Sequence, residues 1–338
     1  HEDTKYYGKS YGDKPEKTDI DNLKRFHNFI KMNLYKEYIR VSEATILELG
    51  GGRANDLNRW LRSNVKNVVL IDISEDALKQ GITKANKQAK GKIRIIPIKA
   101  DLSKEQILDI LKKNDYSQET KGLFDSIFAN FSFHYFVCNV RNNKSTKKDT
   151  DKLSIEKGIK GKCTKIINSI HRILRIGGYF VMTIFDGNKV YDALKNIKSG
   201  EYLELKGEDG NDLFKIKKLY NDDAQFTSGL GISVYIKSIG IEHIECLIDI
   251  EYLKQELQKK FKIVLDEPFD NYYDRYQTRF KTKLNDSEKI FSFFNHIFVC
   301  QKEYTPIGGG RGRANDNINK KINIQPKKYI YNFNNRFY

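Results

Sequence analysis

From residue 45 onward, short apolar runs alternate with longer stretches whose apolar residues recur at helical spacing. "TILEL" (45–49) is a β-rich run ending at three glycines, and "ANDLNRWLRS" behind it has helical composition. "NVVLID" (67–72) predicts a second buried strand, and "SEDALKQGITKANKQ" a helix after it. "KIRIIPIKAD" (92–101) alternates before "SKEQILDILKK", where Ser103 is placed to cap a helix. "LFDSIFANF" (123–131) and "GGYFVMTIF" (177–185) predict the fourth and fifth strands. Strands separated by helices of this length predict parallel βαβ units in an open, doubly wound α/β sheet.

The remaining pattern divides the chain. "RNNKSTKKDTDKLSIEKGIKGKCTK" (141–165) is polar and mostly basic, and predicts a surface insertion. Residues 201–237, with turn signals at "GEDGND" and "TSGLG", predict an antiparallel excursion. A helix over "IDIEYLKQELQKK" then leads to "FKIVLD" and "NHIFVCQKE" (295–303), which suit an antiparallel pair at one sheet edge. This organisation predicts an N-terminal arm or helix over 1–40 that covers the site. A main domain over 41–303 and a basic Gly/Asn-rich tail over 304–338 complete it.

Composition adds a partner. Among 338 residues, 60 Lys and Arg against 44 Asp and Glu leave a formal charge of +16, which suits a polyanion such as RNA. Cys138, Cys163, Cys246 and Cys300 show no paired spacing and no histidines at zinc spacing, so they are expected to be reduced or buried thiols with no metal. No run is apolar enough to predict a membrane span. His1 in place of an initiator Met predicts a domain excised from a longer chain.

The glycine loop carries the chemistry. Glu48-Leu49-Gly50-Gly51-Gly52 follows a strand and opens a helix, at the end of a parallel strand where ligands collect in such sheets. Asp72 ends the second strand, where a carboxylate can grip two ribose hydroxyls. Asn55 occupies the place of the third dinucleotide glycine, and Asp56 would repel a pyrophosphate while attracting an ammonium group. Asp101, expected at the end of the third strand, can accept from an adenine amino group. Three acids after three strands predict an S-adenosylmethionine site rather than a dinucleotide site. The pentapeptide Gly-Arg-Ala-Asn-Asp recurs at 312–316, but no apolar strand leads into it. That copy belongs to the tail's compositional bias, leaving one donor site.

These segments resemble, in order from about residue 20 to 302, the eukaryotic and viral mRNA cap guanine-N7 methyltransferases. "RFHNFIK" (25–31) is similar to the family's segment whose terminal lysine, here Lys31, meets the donor's carboxylate. "LELGGGRANDL" is similar to its glycine loop, with Gly50, Gly52 and Asp56 in matching places; "IDIS" and "KADLS" supply Asp72, Ile73, Asp101 and Leu102. "ANFSFHYF" (129–136) resembles the family's Gln-Phe-x-x-His-Tyr pattern, with Asn130 replacing Gln. The resemblance places Asn130, Phe131 and Tyr135 beside the donor, and His134 and Tyr135 beside the guanine. "IECLID" (244–249) makes Glu245 the guanine-binding carboxylate. Two departures stand out: Phe185-Asp186 replaces a Pro, and Asn295, next to Phe294, falls where the family has a tyrosine beside the base. Tyr7 is a further candidate to stack on the cap.

The resemblance implies a class I, Rossmann-like fold with an antiparallel terminal strand, S-adenosyl-L-methionine as cofactor, and 5′-capped (GpppN) mRNA as partner. It is closest to capping enzymes of large DNA viruses, where this domain ends a multifunctional chain acting in host-cell viral factories or the virion. No residue is expected to act by covalent or acid–base chemistry, and no metal or membrane is implied. Two alternatives stay open: a methyltransferase for another substrate, and a non-catalytic RNA-binding capping subunit.

Overall fold

In the computed structural model, the described residues are 20–114, 123–138 and 149–304. The chain divides into two units, 1–304 and 305–338, and the second lies wholly outside the described residues, with the repeated pentapeptide and the tail.

The first element is helix α1 (Asp21–Tyr38), whose Leu23, Phe26, Ile30 and Leu34 form a buried stripe. Then come β1 (Ala44–Leu49), α2 (Leu57–Arg62), β2 (Val65–Asp72), α3 (Glu75–Ala89), β3 (Arg94–Lys99), α4 (Ile107–Lys113) and β4 (Phe124–Asn130). A short helix α5 (Phe133–Val137) and a long one, α6 (Asp149–Ile173), lead into β5 (Leu174–Phe185). Helix α7 (Gly187–Ala193) opens the antiparallel excursion β6 (Tyr202–Lys206), β7 (Asp212–Lys218), β8 (Gly231–Ile236) and β9 (Glu242–Cys246). The chain closes with α8 (Ile250–Gln258), β10 (Lys262–Pro268), a single 3₁₀ turn over Phe269–Tyr272, α9 (Tyr273–Phe280), α10 (Asp286–Phe293) and β11 (Asn295–Gln301).

The main sheet runs β10-β11-β5-β4-β1-β2-β3. Strands β1 to β5 pair in parallel, and β11 lies antiparallel between β5 and β10. Strand order reverses at β1, which pairs with β2 on one side and β4 on the other, so a crevice opens there at the carboxyl ends. Side chains alternate between two apolar layers: Ile46 faces the layer containing α1 and α2, whereas Leu47 and Leu49 face the layer of α4, α5, α6 and α8.

Three expectations need correcting. Residues 149–165 are not a surface insertion: they begin α6, whose Ile159, Cys163, Ile166 and Ile170 recur at helical spacing and are buried. Residues 141–148 lie outside the described residues. The antiparallel excursion does not stop at 237 but adds β9, which pairs with β8. Ser103 does not cap a helix, because α4 starts at Ile107; its hydroxyl donates to Asp101 at 2.6 Å.

Helix α1 is seated by the far end of the domain. Phe26 sits among Phe269, Tyr273, Tyr276 and Phe293, with ring centroids 5.1–6.4 Å apart. Buried Glu288 of α10 accepts the backbone N–H of Leu23 at 3.0 Å, and its other oxygen accepts that of Asn285 at 3.0 Å in a capping box. One carboxylate thereby satisfies the first turns of two helices 265 residues apart. Among the described residues, no helix is long and apolar enough to cross a membrane.

Candidate active site

The glycine loop closes around the reversal point. Gly50 has φ +72° and its N–H donates to Ile71 O at 2.8 Å; a Cβ there would come within 2.7 Å of Ser132 Cβ. Gly52, with φ +50°, donates its N–H to Asp72 Oδ2 at 2.8 Å, while Ser74 N–H donates to Oδ1 at 2.8 Å. Asp72 therefore stands at the end of β2 with its carboxylate against the loop. Burial pushes its carboxyl above the usual value, against the opposing N–H groups of Ser74, Gly52 and Ile73. Asp101 sits in the turn two residues past β3, with buried Leu102 beside it. Burial raises its carboxyl, but Ser103 and Lys104 more than offset that and hold it low.

At the other side of the loop lies a buried charge cluster. Lys31 of α1 pairs with Asp56 at 2.8 Å, and Arg59 of α2 donates to the same carboxylate. Burial pushes Asp56 up, yet Lys31 and Arg59 together keep its carboxyl below the usual range. Glu48, at the next-to-last position of β1, is held by a hydroxyl instead. The Tyr35 hydroxyl lies 2.9 and 2.8 Å from its two oxygens, and Asn130 Nδ2 donates to that hydroxyl at 3.1 Å. Burial first, and the Asp56 charge second, push Glu48 up to about 8.

That shift sets the sign of a stability effect. The folded protein keeps a proton on Glu48 that an unfolded chain releases above its ordinary value of 4.5. Stability from this group is therefore fully present below that value and is lost as pH rises through about 8. Glu48→Gln, which keeps an acceptor for Tyr35, should flatten the fall in Tm across that window. Calorimetric scans at several pH values check this, and parallel slopes for the two proteins would exclude Glu48 as the source.

Strand β4 ends at Asn130, and the next residue, Phe131, takes φ +56°, a rare conformation for a bulky side chain. Its N–H is held by Thr183 O at 2.9 Å and its ring stacks on His27 at 5.2 Å. The turn launches α5, which presents His134 and Tyr135 to β9. Tyr135 Oη donates to Glu245 Oε1, and His134 Nε2 lies 3.3 Å from Glu245 Oε2. Glu245 pairs in register with Ile232, on the inner face of the second sheet, and is 7% exposed. Burial would raise its carboxyl, but His134, Tyr135 and His243 outweigh that and hold it low, so an ionised carboxylate lies beside the end of β4.

Sequence reasoning anticipated these three neighbours, though from segments 110 residues apart. Phe294 and Asn295 are placed differently. Phe294 is buried against Phe185, and the Asn295 amide donates to Ser292 O at 2.9 Å, at the end of α10. Tyr7 lies outside the described residues. The Glu48–Tyr35 pair and Arg59 were missed, although spacing offered a signal: Tyr35 is one helical turn from Lys31, and Arg59 three residues from Asp56. The thiol expectation also needs correction, because Cys138 and Cys246 are joined in a disulfide while Cys163 and Cys300 are buried and free. The two joined residues lie 108 positions apart, a pairing that spacing could not reveal.

The cradle fits a nucleoside bearing an amino acid. Gly52 leaves room beside the Asp72 carboxylate, where a Cβ would still stand 3.7 Å off, and Asp72 suits a ribose diol. Lys31 and Asp56 offer opposite charges to a zwitterion. Among the described residues, no group of three or more His, Cys, Asp or Glu is placed to hold a metal ion.

Comparison with known proteins identifies the family. The chain is 27% identical over 343 aligned residues to a "Probable mRNA-capping enzyme" of Acanthamoeba polyphaga mimivirus, covering 94% of this chain and 27% of that protein. It is 23% identical to the mRNA cap guanine-N(7) methyltransferase of Schizosaccharomyces pombe, over 64% of this chain and 52% of the relative. The Cryptococcus neoformans protein of the same name is also 23% identical, over 54% of this chain and 26% of its own length. The chain thus spans between about a quarter and a half of these relatives. A family model described as the mRNA (guanine-N(7))-methyltransferase domain matches residues 5–290, and with that match the chain belongs to this S-adenosylmethionine-dependent methyltransferase family.

Proposed function

We propose that this domain transfers the methyl group of S-adenosylmethionine to N7 of the guanine at the 5′ end of a capped mRNA. The observation that carries this reading is the ionised, buried Glu245 facing His134 and Tyr135 beside the end of β4. A carboxylate there matches the guanine N1–H and 2-amino group with two hydrogen bonds, a pairing that adenine cannot offer. His134 would donate toward O6, and Tyr135 would line the gap through which the methyl passes. Lys31, Asp56, Asp72 and Asp101 would hold the donor's amino-acid end, ribose and adenine.

Bound in this cradle, the donor supplies an electrophilic methyl on a positively charged sulfonium. Guanine N7 carries its own lone pair, so the chain needs no general base to create a nucleophile. Its work is to place N7 in line with the departing sulfur and to exclude water. Orientation of this kind reaches effective molarities of roughly 10⁵–10⁸ M. Lys and Arg side chains would position the triphosphate bridge without reading sequence. The mimivirus relative's name, and the 27% of it that this chain covers, support a place within a longer, viral capping chain.

The decisive experiment supplies labelled donor with GpppA-capped, m7GpppA-capped and uncapped RNA of one sequence. Label should enter only the GpppA-capped RNA and be recovered as m7G after digestion. Equal labelling of uncapped RNA would reject the cap assignment.

A further inference from the structure

The methyl-transfer mechanism leaves one pair of groups at the guanine pocket unused. Cys138 directly follows α5, and its N–H donates to the carbonyl of His134 at 3.0 Å. Cys246 directly follows Glu245 on β9. The two sulfurs are joined, with Cα atoms 6.0 Å apart, inside the span that a disulfide bridges. The bond thus links the helix bearing His134 and Tyr135 to the strand bearing Glu245. The other two cysteines differ in kind: Cys163 and Cys300 are fully buried. Cys138 is half-buried, so exchange can begin there.

We propose that Cys138 and Cys246 form a reversible thiol–disulfide latch that closes the guanine pocket when oxidised. This rests on the assignment of guanine to Glu245. In the linked state the Glu245 carboxylate is occupied by the protein itself: Tyr135 donates to one oxygen and His134 lies 3.3 Å from the other. Guanine must take over both acceptor positions, so α5 has to draw back from β9 by about the thickness of a hydrogen-bonded edge. A covalent link beside Glu245 and four residues from His134 forbids that separation. Reduction leaves only the side-chain contacts, which the base can replace one for one.

The chemistry balances with a small disulfide such as oxidised glutathione as co-reactant. The Cys138 thiolate attacks one of its sulfurs and expels a first thiol. The Cys246 thiolate then attacks the Cys138 sulfur of the mixed disulfide and expels the second. Two electrons pass from the cysteines to the small disulfide, and the two cysteine protons end on the two released thiols. Excess small thiol reverses both steps.

The test uses the whole chain, equilibrated with oxidised or with reduced glutathione. Linkage is verified by intact mass and by non-reducing peptide mapping. Calorimetry then gives the affinities for GpppA and for S-adenosylhomocysteine separately. Oxidation should weaken GpppA binding at least about tenfold, an effect reversed by excess thiol, while product affinity is unchanged. Cys138→Ser should bind GpppA like the reduced protein under both conditions. Mass-verified linked protein that binds GpppA as well as reduced protein overturns the latch, and so does failure of the link to form with oxidised glutathione. A reduced protein that binds S-adenosylhomocysteine but not GpppA would sink the cap reading itself, and the latch with it.

Discussion

Asp72→Ala should weaken binding of S-adenosylmethionine and S-adenosylhomocysteine about a hundred-fold or more. Its proposed partners are two ribose hydroxyls, and each hydrogen bond to a charged group is worth about 1.5–3 kcal/mol. The substitution also frees the N–H groups of Gly52 and Ser74, which the carboxylate now holds at 2.8 Å each. The loop therefore loses its anchor along with the ligand's. Asp72→Asn keeps one acceptor oxygen and should fall between wild type and alanine. Calorimetric titration with S-adenosylhomocysteine, beside a thermal scan to confirm folding, measures the effect. Unchanged affinity in folded Asp72→Ala would place the ribose elsewhere.

Glu245→Ala should lower kcat/KM on capped RNA by about 1.5–3 kcal/mol, roughly ten- to more than a hundred-fold. Donor affinity should scarcely change, because Lys31, Asp56 and Asp72 belong to other elements than β9. The split between the two readouts separates a guanine-reading carboxylate from a structural one. Glu245→Gln preserves volume but turns an amide donor toward the 2-amino group, so it should be impaired as well. It also removes the ionised partner of His134, 3.3 Å away. Full cap activity in Glu245→Ala would take guanine recognition away from this residue, and a joint collapse of donor binding would mark a folding defect.

Much of the fold was legible because parallel strands buried on both faces read as apolar runs. "NVVLID" contains β2's buried core, and its last residue is Asp72 at the strand end. Acids after strands are visible for the same reason: a charge that ends an apolar run has to face the crevice. Strand β9 was not legible, since "EHIEC" carries polar residues on both faces: Glu242 and Ile244 lie on one, His243 and Glu245 on the other. Helix α6 was misread through composition. Its lysines suggested a surface loop, whereas Ile159, Cys163, Ile166 and Ile170 carry the helical period. Contacts between distant segments, such as Tyr35 with Glu48 or Cys138 with Cys246, leave no periodic trace at all.

The seating of α1 has a consequence for the order in which the protein becomes competent. Lys31 precedes the loop it completes, but its helix is fastened by Glu288, Ser292 and the aromatic rings of 269–293. A ribosome adding roughly 5–20 residues per second takes about 13–51 seconds to travel from codon 31 to codon 288. During that interval the glycine loop, Asp56, Asp72 and Asp101 have all emerged, while the helix that carries the lysine still lacks its seat on Glu288 and the rings of 269–293. Lys31, Asp56 and the glycine loop are therefore fixed together only once nearly the whole domain has been made.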